Sequence, residues 1–260
     1  VNLASRAAAA AFLIAAAALL AGCGGSGSGP GYTWGWHVVA PFDARGWNNL
    51  AFLTAGIWAT LLISVTSIVI AVAAGLVVGL CALSANKALR GFNRVYVELF
   101  RSIPLLVLLL WVYYGLPVVA GIQFGVFAAG VISLALSDSA FEAEIFRAGI
   151  QAVPKGQWEA GKSIGLTPWQ VMRFVVLPQA IRRILPALGN QFVYVLKMSS
   201  LISVIGYQEL TRRANELTLV EYRPLEIYTV LVLEYLALIL VVSWMVRRLE
   251  RRMGAGEGGR

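Results

Sequence analysis

Five stretches of this 260-residue chain are apolar over lengths that match the thickness of a bilayer. They cover about 50–83, 95–117, 122–150, 184–206 and 225–246. Hydrocarbon offers no water to backbone N–H and C=O groups, so a spanning segment is either a helix or a strand of a closed barrel. None of the five alternates apolar and polar residues with a period of two, which excludes a barrel. The expected fold is all-α, a polytopic bundle of five core transmembrane helices behind an N-terminal signal or anchor segment. Charged residues make up 13% of the chain, against roughly 25% in a soluble domain. The first stretch is longer than a bilayer needs, so part of it must tilt or lie in the interface. The third is strictly apolar only over 126–136 and continues as an amphipathic helix towards Ile150.

The net charge of +8 raises the question of a nucleic-acid partner, and the placement of the cations answers it. Lys87, Arg90, Arg94 and Arg101 flank the first hairpin. Arg147, Lys155, Lys162, Arg173, Arg182 and Arg183 fill the long loop after the third stretch, and Arg247, Arg248, Arg251, Arg252 and Arg260 close the chain. These fifteen fall on one side of the spans, while Arg45, Arg212, Arg213 and Arg223 fall on the other. Such asymmetry marks the cytoplasmic side. The long loop and the tail 251–260 are therefore expected in the cytoplasm, the segment before residue 50 outside, and no nucleic acid as partner. Trp34, Trp36 and Trp47 fit an interfacial aromatic belt. One histidine and two distant cysteines build neither a metal site nor a disulfide framework.

Ahead of the spans, Arg6 precedes fifteen apolar residues, Ala7 to Ala21, followed by Gly22, Cys23 and a Gly/Ser stretch. The run is short for a spanning helix and suits a signal h-region. Leu20-Ala21-Gly22-Cys23 resembles a bacterial lipobox, which would make Cys23 a lipidated N-terminus in contact with membrane lipid. An uncleaved anchor helix and a misplaced start are the other two readings. As lipobox or as anchor, 1–23 is a targeting or anchoring unit and 24–49 an extracytoplasmic tether and interfacial segment, ahead of a transmembrane domain over 50–250.

Residues 156–163, Gly-Gln-Trp-Glu-Ala-Gly-Lys-Ser, match the phosphate-loop pattern G-x-x-x-x-G-K-[ST]. That loop needs a buried strand before it and a parallel sheet around it, and Glu159 would stand among the phosphates. An ATP-binding enzyme is thus the lesser alternative. The same residues satisfy another spacing. Glu159-Ala160-Gly161, three residues, Gly165, nine residues, then Val175-Val176-Leu177-Pro178 resemble the EAA loop of ABC importer permeases. Gly161 stands for the second Ala and Val175 for Ile. Pro154 and Pro168 bracket a short helix with small residues at Ala160, Gly161 and Gly165 and apolar anchors at Trp158 and Ile164. Its acid, Glu159, is expected in the first turn, where the helix dipole favours an anion, with Lys162 as its partner.

The resemblance continues outside the loop. Glu98-Leu-Phe-Arg101-Ser-Ile-Pro104 with Tyr114-Gly-Leu-Pro117, Ala140-Phe-Glu-Ala-Glu144-Ile-Phe-Arg147, and Leu185-Pro186-Ala-Leu-Gly-Asn190 are similar to signatures of polar amino-acid permeases. Phe141 stands where Tyr is usual, and Met198 where a polar or acidic residue is common. The resemblance implies a type I ABC importer permease of the bacterial inner membrane. Two permease subunits pair, an ABC ATPase dimer drives them through the coupling loop 154–178, and an extracytoplasmic substrate-binding protein delivers the solute. It implies amino-acid transport by alternating access, without cofactor and without covalent chemistry in this chain. An opine or another small nitrogenous solute is the alternative cargo.

Ionisable groups inside spans are costly and usually face protein or a water-filled path. Asp138 and Glu142, four residues apart on one helix face, are candidates for a translocation path or for a buried structural network. Glu144 and Arg147 are spaced to pair. Asn190 on the fourth span is a weaker candidate, with Gln191 beside it. Lys197 and Glu234 each lie nine residues inside the outer end of a span, about 13.5 Å deep at 1.5 Å per residue. They are expected to face inward and pair, or else to leave Lys197 for a substrate carboxylate.

Overall fold

A computed structural model describes residues 32–254. Cys23, the apolar run before it, the Gly/Ser stretch after it and residues 255–260 of the expected tail lie outside the described residues. Among the described residues every regular element is helical. In chain order they are α1 (Ala44–Thr54), α2 (Gly56–Leu83), α3 (Lys87–Ser102), α4 (Leu105–Leu110), α5 (Leu116–Ala120), α6 (Val126–Gln151), α7 (Lys155–Ser163), α8 (Pro168–Gln170), α9 (Leu177–Met198), α10 (Leu210–Glu221) and α11 (Pro224–Gly254). Four rods are long and apolar enough to cross a membrane: Ala44–Leu83, Val126–Gln151, Pro168–Ile205 and Pro224–Arg251. The bent pair Lys87–Ser102 and Leu105–Ala120 is the fifth.

The pair α2 and α6 forms the backbone of the bundle, and small residues let it close. Ala71, Gly75 and Gly79 recur every four residues along α2, which places them on one face. A β-carbon at Gly75 would sit 2.4 Å from the Glu142 β-carbon, and one at Gly79 would sit 2.8 Å from the Ala143 carbonyl oxygen. Contacts advance together along the two helices, from Ile63 against Gly130 to Gly79 against Ala143, so they run parallel. Helix α9 returns antiparallel to α6, as Gln191 meets Asp138 and Ile184 covers Gly149. Helix α11 packs on α9 through Val246 against Gly189 and through Leu196, Leu231 and Leu238. This topology gathers the loop cations and the start of the tail at one end of the bundle and Arg45, Arg212, Arg213 and Arg223 at the other.

The second span departs from its expected form. Instead of one helix over 95–117, α3 begins at Lys87, capped by the Asn86 side chain, and the chain turns by 97° before Leu105. Pro104 has no N–H to continue the ladder and forces Ile103 out of the helical region, where it sits at φ −87°, ψ 122°. A π-helical turn at Trp111–Gly115 and left-handed Gly121 shape the remainder.

The far end also differs. Residues from Tyr32 to Asn49, expected as tether, are tied down. Tyr32 Oη and the Gly35 N–H both donate to Glu226, Arg223 donates to the Thr33 carbonyl, and Arg45 and Asn49 donate to Glu221. The first span already starts at Ala44. Helix α10, between the fourth and fifth spans, buries Leu210, Ala214 and Leu217, one face at intervals of four and three. Glu209 caps it by accepting from the N–H groups of Thr211 and Arg212.

Candidate functional site

Helix α7 stands at the basic end, outside the bundle. Pro154 precedes its first residue, and Gly165 ends it. The Gly165 N–H donates to the Lys162 carbonyl and the Leu166 N–H to that of Gly161, the paired bonds of a Schellman cap. Gly165 therefore takes φ +82°, a conformation that suits glycine and strains other residues. No atom outside its chain neighbours lies within 4 Å of where its β-carbon would be. Its smallness thus serves the turn. Gly161 is small for a different reason: it is buried, and a β-carbon would come within 2.9 Å of Val171.

Of the three small residues, the two glycines thus answer to the helix's own turn and packing, and only Ala160 lies on the outward face. Trp158 is also turned inward, half-buried on a cluster of Ile150, Val153, Val171, Val176, Ala180 and Ile184. The outward face is Glu159, Ala160, Lys162 and Ile164, the last 77% exposed. Because the helix starts at Lys155, Glu159 falls in its second turn and not its first. The described ion pairs are Arg45–Glu221, Glu144–Arg147 and Arg212–Glu216, so Glu159 and Lys162 do not join. The phosphate-loop match lies within this continuous helix, with no strand before it among the described residues.

The polar residues of the spans include a buried set and an exposed stripe. Glu142 is fully buried against Gly75, and Asp138 is 3% exposed. Gln191, and not Asn190, donates to Asp138 Oδ1 at 2.5 Å. The other Asp138 oxygen and both oxygens of Glu142 have no protein partner. Glu144 and Arg147 pair at 2.6 Å. They share a polar cavity of about 440 Å³ with Arg90, Arg94, Glu98 and Arg101, a cluster the sequence did not single out. On α9, Asn190, Tyr194 and Lys197 are all exposed, and steps of four and three put them on one face.

The expected Lys197–Glu234 pair is absent. Both Glu234 oxygens are buried without a partner, and Lys197 is exposed. The physical reason is rotation about the helix axis. Leu196 faces the core shared with α11, and the next residue lies about 100° around, at 3.6 residues per turn.

Five apolar spans, glycine-closed and carrying a short helix clear of the bundle at the basic end, define a membrane permease. Residues 71–255 match the model of the family described as binding-protein-dependent transport system inner membrane component, and the chain belongs to that family. It is 36% identical over 208 residues to the glutamine transport system permease protein GlnP of Escherichia coli K12, covering 80% of this chain and 95% of that one. The fold matches a crystal structure of an amino acid ABC transporter with histidines at TM-score 0.75 and 41% identity, over 79% of this chain and 95% of that chain. An inward-facing structure of the MetNI methionine ABC transporter matches at TM-score 0.67 and 26% identity, over 78% and 97%. The chain is a multi-pass inner-membrane permease subunit of an ABC importer, a transport component and not an enzyme.

Proposed function

We propose that this permease carries polar amino acids of glutamine's class inward, driven by ATP hydrolysis on a separate subunit. The observation that carries the reading is the exposed face of α7, a short helix held at the end of the bundle where the cations collect. That end is the cytoplasmic one by the asymmetry of Lys and Arg, and the Tyr32–Asn49 segment and α10 lie on the extracytoplasmic side. An ABC ATPase, one of a pair, docks on Ala160 and Ile164, with Glu159 at the margin. Trp158, Gly161 and Gly165 support the docking by fixing the helix from behind. The extracytoplasmic binding protein delivers solute to the opposite end.

The α9 stripe supports both a path and a second permease subunit. Lys197 is exposed in the single chain, and a charge at its depth against lipid would cost about 2.5–3.5 kcal/mol on insertion scales. A second permease subunit across a water-filled path removes that cost, with Asn190, Tyr194 and Lys197 lining it. Glu234 is a further path candidate, while Asp138 and Glu142 lie one layer behind, where Asp138 holds α9 through Gln191. Proteoliposomes containing the permease, its ATPase and its binding protein test the reading. ATP-dependent uptake of glutamine, lost in Ile164→Asp and reduced in Lys197→Met without loss of folding, is expected. Uptake unaffected by Ile164→Asp contradicts it.

A further inference from the structure

Beside α7, on the flank facing the membrane, runs a trough of about 820 Å³ with an almost wholly apolar lining. One wall is Leu76 and Leu80, in the last two turns of α2 and 40% and 51% exposed. The other includes Trp158, Trp169 and Met172, with Arg173 on the lining. An adjoining cavity of about 480 Å³ shares Trp158 and Met172 and carries Lys155. No carboxylate lines either cavity.

Leu76 lies seven residues before the end of α2 at Leu83, about 10 Å along the helix axis. The trough thus opens in the hydrocarbon and ends among tryptophans and cations, the side chains that mark the headgroup level. A water-filled groove with this lining would be unfavourable, and the bilayer supplies chains of matching chemistry. Cations without an opposing acid select a negative headgroup, as basic pockets between spans do at the cytoplasmic leaflet.

We propose that this trough binds one anionic phospholipid, an acyl chain along Leu76 and Leu80 and the phosphate at Arg173 and Lys155. The outward face of α7, Ala160 and Ile164, does not line the trough; Trp158 does. The lipid would brace α7 against the end of α2 from the side opposite the docking face. The proposal stands on membrane placement and does not need the ATPase reading to hold.

The test uses the full chain, purified in neutral detergent, with dioleoylphosphatidylglycerol and dioleoylphosphatidylcholine added at equal concentration. Native mass spectrometry counts retained lipids. The native chain should keep one phosphatidylglycerol, favoured by roughly tenfold over phosphatidylcholine, as two nearby cations allow. Leu80→Trp, which fills the trough, should lose it. Lys155→Gln with Arg173→Gln should keep the fold, since both are surface residues, and bring the two lipids to equal retention. Equal retention by the native chain, unchanged preference in the charge variant, or release of the lipid when the ATPase subunit is added would overturn the proposal. The last outcome would assign the trough to protein docking.

Discussion

Replacing Gly75 by alanine adds one methyl group to the face where α2 meets α6. Its carbon would stand 2.4 Å from the Glu142 β-carbon and 2.9 Å from the Ser139 carbonyl oxygen. Carbon atoms in contact prefer about 3.5–4.0 Å. A β-carbon moves only with its backbone, so the two helices must separate by about 1 Å. Overpacking of this kind costs about 1–3 kcal/mol. For a chain of 150–250 residues that corresponds to a melting temperature lower by roughly 2–12 °C. Gly91→Ala is the matched control, because nothing lies within 4 Å of its β-carbon position and it sits inside α3. There the helix preference of alanine contributes up to about 1 kcal/mol of stability. Thermal unfolding of detergent-purified protein, followed by size-exclusion chromatography, reads both. The same substitution should lower the midpoint at 75 and leave it level or higher at 91. A Gly75→Ala protein that melts at or above the native temperature would refute the close-packed α2–α6 pair.

Gly165→Val should loosen the end of α7 by about 1–2 kcal/mol, the cost of a left-handed conformation, whereas Gly165→Asn should do much less. Proteolysis at Lys162 measures the difference. Burial opposes ionisation of Glu221, but hydrogen bonds from Arg45 and Asn49 outweigh it and hold its carboxyl below the usual range. A lowered value means stability present at neutral pH and lost as pH falls through the folded-state value, so the Tyr32–Asn49 segment should detach on acidification below about pH 4. The expected pattern is proteolysis of that segment that speeds up in acid for the native chain and is already fast at pH 7 for Glu221→Gln. Glu234→Leu removes a buried carboxylate that has no partner and should raise the melting temperature while lowering uptake. Unchanged uptake would remove Glu234 from the path.

The spans were legible because hydropathy and the sorting of charges act residue by residue. What the sequence concealed depends on direction. Lys197 and Glu234 share a depth that counting reveals, yet their facing depends on rotation about each axis, and Leu196 takes the position toward α11. The bend after α3 was marked by Pro104, but its 97° follows from how α4 crosses the bundle to bury Leu108 and Leu109. Helix α10 shows no apolar run in the sequence, because Arg212 and Arg213 lower its hydropathy. Its Leu210, Ala214 and Leu217 spacing and the acid at Glu209 were the available signals. The spacing of Gly161 and Gly165 was visible, while its two causes, contact with Val171 and a left-handed turn, needed three dimensions.

Site-directed cross-linking between this permease and its ATPase tests the central claim, that the outward face of α7 receives the ATPase. In a chain with Cys23 and Cys81 replaced by alanine, single cysteines at Ile164 and at Gln123 are compared in membranes containing the defined ATPase and a short bismaleimide. Gln123 is exposed and sits away from α7, just past the far end of the bent second span. A covalent permease–ATPase adduct at 164, more abundant when ATP is bound, and none at 123 is the result predicted. No adduct at 164, or equal adducts at both positions, would contradict the account.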